Sequence, residues 1–196
     1  LKAASTIQIR LESADDNLDF ADLVAAELIQ LNPDLNGRIK TVPSLRHVSR
    51  LERARYLAAT ELDWSIEQRR ELLKKVEASG HKTARIDPEI GFRHVRLSVL
   101  HAHETLLEAG APDGFVYIPL TAGLSIIPLG GYQPFDVEAW MPVGVTGVIR
   151  GAARNASIIA KGEVQVLMIP REVFLKHWHF TYTFKELIDL LSPFKS

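Results

Sequence analysis

The sequence predicts an α+β protein: a helical N-terminal region over residues 1–90, then over 91–196 a run of short strands, as in a sandwich, a jelly roll or a small barrel, followed by C-terminal helices. Three observations point there. Apolar residues recur every three or four positions before residue 90 and every second position after it. Short apolar runs in the second half are separated by the turn signals AGAPDG, TAG, LGGY, PVG and KGE. Most of the twelve glycines follow residue 109, where such turns concentrate.

The elements follow in order. NLDFADLVAAELIQL puts Phe20, Leu23, Val24, Leu28 and Leu31 on one helical stripe, with Asn17 as the cap and Asn32-Pro33 as the stop. SRLERARYLAATELDW repeats the period through Leu51, Ala54, Leu57, Ala58 and Leu62. SIEQRRELLKKVEASG opens on Ser65 with Gln68 three residues on, the spacing of a capping box, and closes at Gly80. The strand runs are HVRLSVL, FVYIPL, LSIIP, VEAWM, ASIIA and VQVLMI, and the tail returns to helix in REVFLKHW and FKELIDLL. No repeat of solenoid or propeller length is present.

Composition narrows the classes. With 46% hydrophobic and 24% charged residues the chain is that of an ordered protein, and 196 residues suffice for a real core. A net charge of −1 gives no global pull toward nucleic acid or an anionic membrane, so neither is expected as a partner. The absence of cysteine removes disulfides, thiolate metal sites and cysteine nucleophiles. No apolar run has the roughly 18 residues of a spanning helix, and LKAASTIQIR lacks the core of a signal peptide, so a cytoplasmic location is expected. The initial leucine marks the chain as a candidate piece of something longer.

From Arg38 to Arg55 there are six Lys or Arg against the single acid Glu52. Phosphate contact would use such charges. The cluster has almost no aromatic interleaving, however, and reads as a solvated surface.

A second candidate is His101-Ala102-His103-Glu104, with Glu108 beyond. On an extended strand His101 and His103 share a face and could hold one metal with a carboxylate. This resembles the first motif of the cupin family, and implies a metal-dependent enzyme or metal-binding protein using His101, His103 and Glu108. The second cupin motif needs a histidine after Pro142-Val143-Gly144, where Gly147 stands instead.

A third candidate is GVIRGAARNASIIA, residues 147–160. With HETLLEAGAPDGFVYIPLTAGLSI before it and VQVLMIPREVF after it, the chain from His103 to Trp178 resembles the cyclic nucleotide-binding domain family, the effector β-roll of catabolite-activator-type regulators and kinase regulatory subunits. The resemblance implies a jelly-roll-like antiparallel β-roll with C-terminal helices over 91–196, and within it a phosphate-binding cassette. Gly147, Ile149, Gly151 and Ala152 would bring the backbone close to an anion, Arg154 would neutralise it, and Ser157 would reach the ligand. The family's ribose-binding glutamate corresponds to Val148, which accepts no hydrogen bond, and the interval from Gly147 to Arg154 is short enough that the cassette's small helix is expected to be missing. An unpaired ribose hydroxyl costs on the order of 1–3 kcal/mol, roughly ten- to a hundredfold in affinity.

The expected function is therefore a non-catalytic regulatory or protein-interaction module in signal transduction, with nucleotide binding lost or altered. No catalytic residue, metal ligand or cofactor is assigned to it. A small anionic ligand remains a candidate. The resemblance implies that the helix Glu172–Trp178, with FKELIDLL behind it, moves against the roll and couples it to a partner. Among the helices, Leu187, Leu190 and Leu191 of the tail would form the docking face for a protein partner or a second copy. The tail leaves no room for the helix-turn-helix of DNA-binding family members, so a transcription factor is not expected.

Overall fold

The computed structural model describes residues 7–9, 18–41, 43–80, 83–84 and 86–180. They divide into two compact units, Leu1–Arg46 and His47–Ser196. The change of period near residue 90 is thus a change of secondary structure inside the second unit, while the division between units falls at 46.

In the first unit, β1 (Ile7–Ile9) pairs in parallel with β2 (Ile39–Thr41), and α1 (Leu18–Leu31) lies between them in sequence. The helix ends at Asn32-Pro33 as the sequence predicts, but Leu23, Leu28 and Leu31 of its apolar stripe are exposed, while Ala25 is buried. The proposed cap, Asn17, lies outside the described residues.

The second unit opens with α2 (Arg50–Ala58), capped by Ser49, whose Oγ accepts the Glu52 N–H at 3.2 Å. The predicted apolar stripe does not face the core here. Leu57 is exposed, and the buried pair is Glu52 and Tyr56, one turn apart. After β3 (Thr60–Glu61), α3 (Ile66–Ala78) forms with both bonds of the predicted capping box, Ser65 Oγ accepting from Gln68 N and Gln68 Oε1 accepting from Ser65 N. Then come β4 (Thr83–Ala84), β5 (Arg96–Leu100), β6 (Thr105–Leu107), β7 (Phe115–Pro119), β8 (Leu124–Pro128), β9 (Phe135–Val137), α4 (Val145–Arg150), β10 (Ala156–Ala160), β11 (Val164–Pro170), α5 (Arg171–His177) and β12 (His179–Phe180).

Two four-stranded antiparallel sheets build the roll, in the orders β3-β5-β11-β7 and β6-β10-β8-β9, while β4 pairs with β12. The α+β class and the antiparallel roll agree with the sequence. In β10 burial alternates, with Ala156, Ile158 and Ala160 inward, as expected of a strand with one wet face. In β7 all five residues are buried, so both faces are covered. Phe115 and Tyr117, two apart and on one face, meet α2: the Phe115 ring stacks on Tyr56 at 4.8 Å, and the Tyr117 hydroxyl reaches Glu52.

Two sequence readings need correcting. VEAWM is not a strand. Pairing with β8 ends at Val137, and the chain then turns through Trp140 at φ 70, a backbone angle that no extended strand accepts. The short helix expected to be missing from the cassette is present as α4. It begins two residues ahead of Gly147, and glycines at both ends, Gly144 at φ 81 and Gly151 at φ 59, take left-handed angles that begin and end it abruptly. The helix FKELIDLL, with Leu187, Leu190 and Leu191, lies outside the described residues.

Candidate functional site

The cassette is positioned by the free edge of β7. Tyr117 N donates to Val143 O at 3.0 Å and Val143 N to Tyr117 O at 2.8 Å, a two-bond clasp that delivers Gly144 and α4 beside the sheet. The chain leaving α4 is fixed in turn by the turn before β7: Arg154 N donates to Ala111 O at 2.9 Å and Gly110 N to Arg154 O at 2.7 Å.

Held this way, Arg154 turns into the protein. Its side chain is 2% exposed and that of Glu52 is fully buried. Arg154 Nη2 donates to Glu52 Oε1 at 2.7 Å and to Phe115 O at 2.8 Å, and Nη1 donates to Gly144 O at 3.0 Å. Glu52 Oε1 also accepts the Tyr117 hydroxyl at 2.6 Å, and its Oε2 takes the Ser49 hydroxyl at 3.2 Å. A buried carboxylate thus sits on the guanidinium with the short, charge-assisted geometry that an anionic ligand would need. Gly144 belongs to the arrangement, because a Cβ there would lie 2.8 Å from Arg154 Nη1 and 3.2 Å from Phe115 O.

The backbone amides of two other predicted ligand residues are engaged within the protein. Gly151 N and Ala152 N both donate to Gly147 O, which closes the end of α4, and Ile149 and Ala152 are exposed. Ser157 stands on β10 with its Oγ accepting the Ala109 N–H at 3.0 Å. Val148 is wholly buried.

Beside this network lies a hollow of about 460 Å³, walled by β6, β8, β9 and β10 and by the segment leading into α4. Of the six predicted ligand residues, Gly147 and Arg154 line it. The remaining wall is mainly apolar, including Leu107, Ile126, Phe135, Met141, Val143 and Ile158.

The histidine candidates do not form a metal site. Residues 101–104 are a turn between β5 and β6 rather than extended strand, and His103 has φ 70, so the two imidazoles lose the shared face that the spacing offered. His101 Nδ1 lies 3.8 Å from Glu163 on the surface, and Glu104 Oε2 accepts the His101 N–H at 2.8 Å. Among the described residues no group of three or more histidine or acidic side chains is placed to hold a metal ion. Part of the basic cluster is also accounted for, since Arg55 Nη2 donates to Thr105 O at 2.8 Å.

Burial pushes the Tyr117 hydroxyl well above the ordinary tyrosine range, and the Glu52 charge adds to the shift. Burial raises Tyr56 as well. Both phenols hold their protons more tightly folded than unfolded, so the folded state binds more protons once the pH passes the unfolded value of about 10. Their contribution is complete below that pH and is lost as pH rises toward the folded values. Stability should fall by up to about 1.4 kcal/mol per pH unit for each tyrosine. Chemical unfolding between pH 9 and 11 checks this, and Tyr117→Phe should make the slope shallower; an unchanged slope counts against it.

The sequence reading missed Glu52, Tyr117 and Tyr56. One local signal was present: Ser49 and Glu52 have capping-box spacing. That signal gives the carboxylate a role at a helix end, and only packing makes it a counter-ion.

No protein-family model matches the sequence, and no curated protein matches it. Solved structures similar to it include cyclic nucleotide-binding proteins and PKA regulatory subunits. One is a protein of Ruegeria pomeroyi described as cyclic nucleotide-binding, with 15% identity and TM-score 0.37, covering 41% of this chain and 38% of that one. Another is the regulatory subunit of a cAMP-independent protein kinase A from Trypanosoma brucei, with 16% identity and TM-score 0.47, covering 57% of this chain and 41% of that one. A third is the regulatory domain of Toxoplasma gondii PKA with cAMP, with 16% identity and TM-score 0.45, covering 64% and 46%. The match therefore spans less than half the length of each of these chains. Among the described residues no helix is long and apolar enough to cross a membrane.

Proposed function

We propose that the chain is a non-catalytic regulatory β-roll that works without a cyclic nucleotide, and that signals through contact with a protein partner. The observation that carries its independence of nucleotide is the 2.7 Å pair between Arg154 and Glu52. A cyclic phosphate has one negative charge, and a guanidinium already neutralised inside the protein gains little by meeting it. Displacing Glu52 would leave a fully buried carboxylate unpaired, a cost of several kcal/mol that the phosphate contact would have to exceed. Val148, buried where the family's ribose-binding glutamate would stand, removes a further contact.

Calorimetric titration of the chain with cyclic AMP and cyclic GMP tests the reading. No saturable heat is expected at ligand concentrations up to about 1 mM. Saturable binding at micromolar concentration would overturn it.

A further inference from the structure

We propose that the hollow beside Arg154 is a binding site for one small, uncharged and largely apolar molecule. The inference rests on the preceding reading, since it requires that Glu52 neutralise Arg154.

Size comes first. At about 460 Å³ the hollow falls within the range of small-molecule sites, about 300–1,000 Å³. Its walls then set the chemistry. Leu107 and Ile158 present hydrocarbon from the two neighbouring strands β6 and β10, Ile126 does so from β8, and Phe135 from β9. Phe135 is 45% exposed and Met141 is 38% exposed, so apolar surface at the rim meets water and gains by being covered.

Charge decides between ligand classes. Two ionic groups of the lining are already paired: Arg154 with Glu52 at 2.7 Å, and Asp136 with Lys161 at 2.6 Å. The third is the carboxylate of Glu138, which repels an anion. The site therefore offers no uncompensated positive charge to a phosphate, sulfate or carboxylate. Asn155 supplies a neutral polar group in the wall, which could orient a single hydroxyl, amide or ketone.

The test uses N-phenyl-1-naphthylamine, an uncharged fluorophore whose emission rises on leaving water, titrated into the full chain. Saturable binding of about one probe per chain is expected, unmoved by about 1 mM cyclic AMP. Ala156→Leu and Ile126→Trp narrow the hollow from two different strands, β10 and β8, and each should weaken the probe by roughly tenfold or more. Thermal unfolding of each variant verifies the fold, and either variant alone suffices if the other fails to fold. Absence of saturation, or equal affinity in a folded narrowed variant, would overturn the site while leaving the nucleotide-independent reading intact. Displacement of the probe by cyclic AMP would overturn both.

Discussion

Glu52→Ala is expected to destabilise the second unit by about 3–5 kcal/mol, because it leaves a buried guanidinium without its counter-ion and a buried phenol without its acceptor. For a unit of this length that corresponds to a fall in Tm of roughly 6–20 °C by thermal unfolding. The size follows from burial: Arg154 is 2% exposed and Glu52 is fully buried, so neither charge falls back on water when its partner is removed. Removing the whole polar knot should cost less than removing one member. The triple variant Glu52→Leu, Tyr117→Phe, Arg154→Met is therefore expected to regain part of the loss, since no buried charge remains in it. A loss under about 1 kcal/mol for the single change, the size of an exposed ion pair, would sink the claim that Glu52 is the counter-ion of the cassette.

Phe115→Ala should be comparably severe, at about 3–5 kcal/mol in urea unfolding. The ring is 1% exposed, stacks on Tyr56 at 4.8 Å with 25° between planes, and lies 6.2 Å from the Tyr117 ring. Deleting it leaves a cavity between β7 and α2, the helix that carries Glu52. Because Phe115 and Tyr56 are in contact, their effects should not add. A double-mutant cycle with Tyr56→Ala is expected to show a coupling of about 0.5–1.5 kcal/mol. Strict additivity would mean that the ring holds β7 alone and does not dock α2.

These two residues show where local and long-range information part. Ser65 and Gln68 could be read directly, because a capping box is complete within four residues. The strands HVRLSVL, FVYIPL, LSIIP, ASIIA and VQVLMI could be read because alternation and flanking turns are local as well. VEAWM looked like a strand by the same rule, but Trp140 occupies a left-handed angle that sequence does not announce. In α2 the helical period was legible and the buried face was not. Periodicity chose Leu57, which is exposed, over Tyr56 and Glu52, which are buried. A hydrophobic count cannot favour a glutamate as a core residue unless its partner is known, and Arg154 lies 102 positions away.

Arg154 itself shows the same limit. Its place at the end of a glycine-bearing turn, just before an apolar strand, is written in GVIRGAARNASIIA. That segment, with the alternation around it, carried the resemblance to an antiparallel roll with a short turn ahead of β10. Which way the guanidinium points was decided by tertiary structure. The Tyr117–Val143 clasp, the Gly110–Arg154 turn and the packing of α2 on β7 bring the side chain within 2.7 Å of Glu52. A buried charge accepts whichever opposite charge the fold delivers. Here the fold delivers one from its own helix.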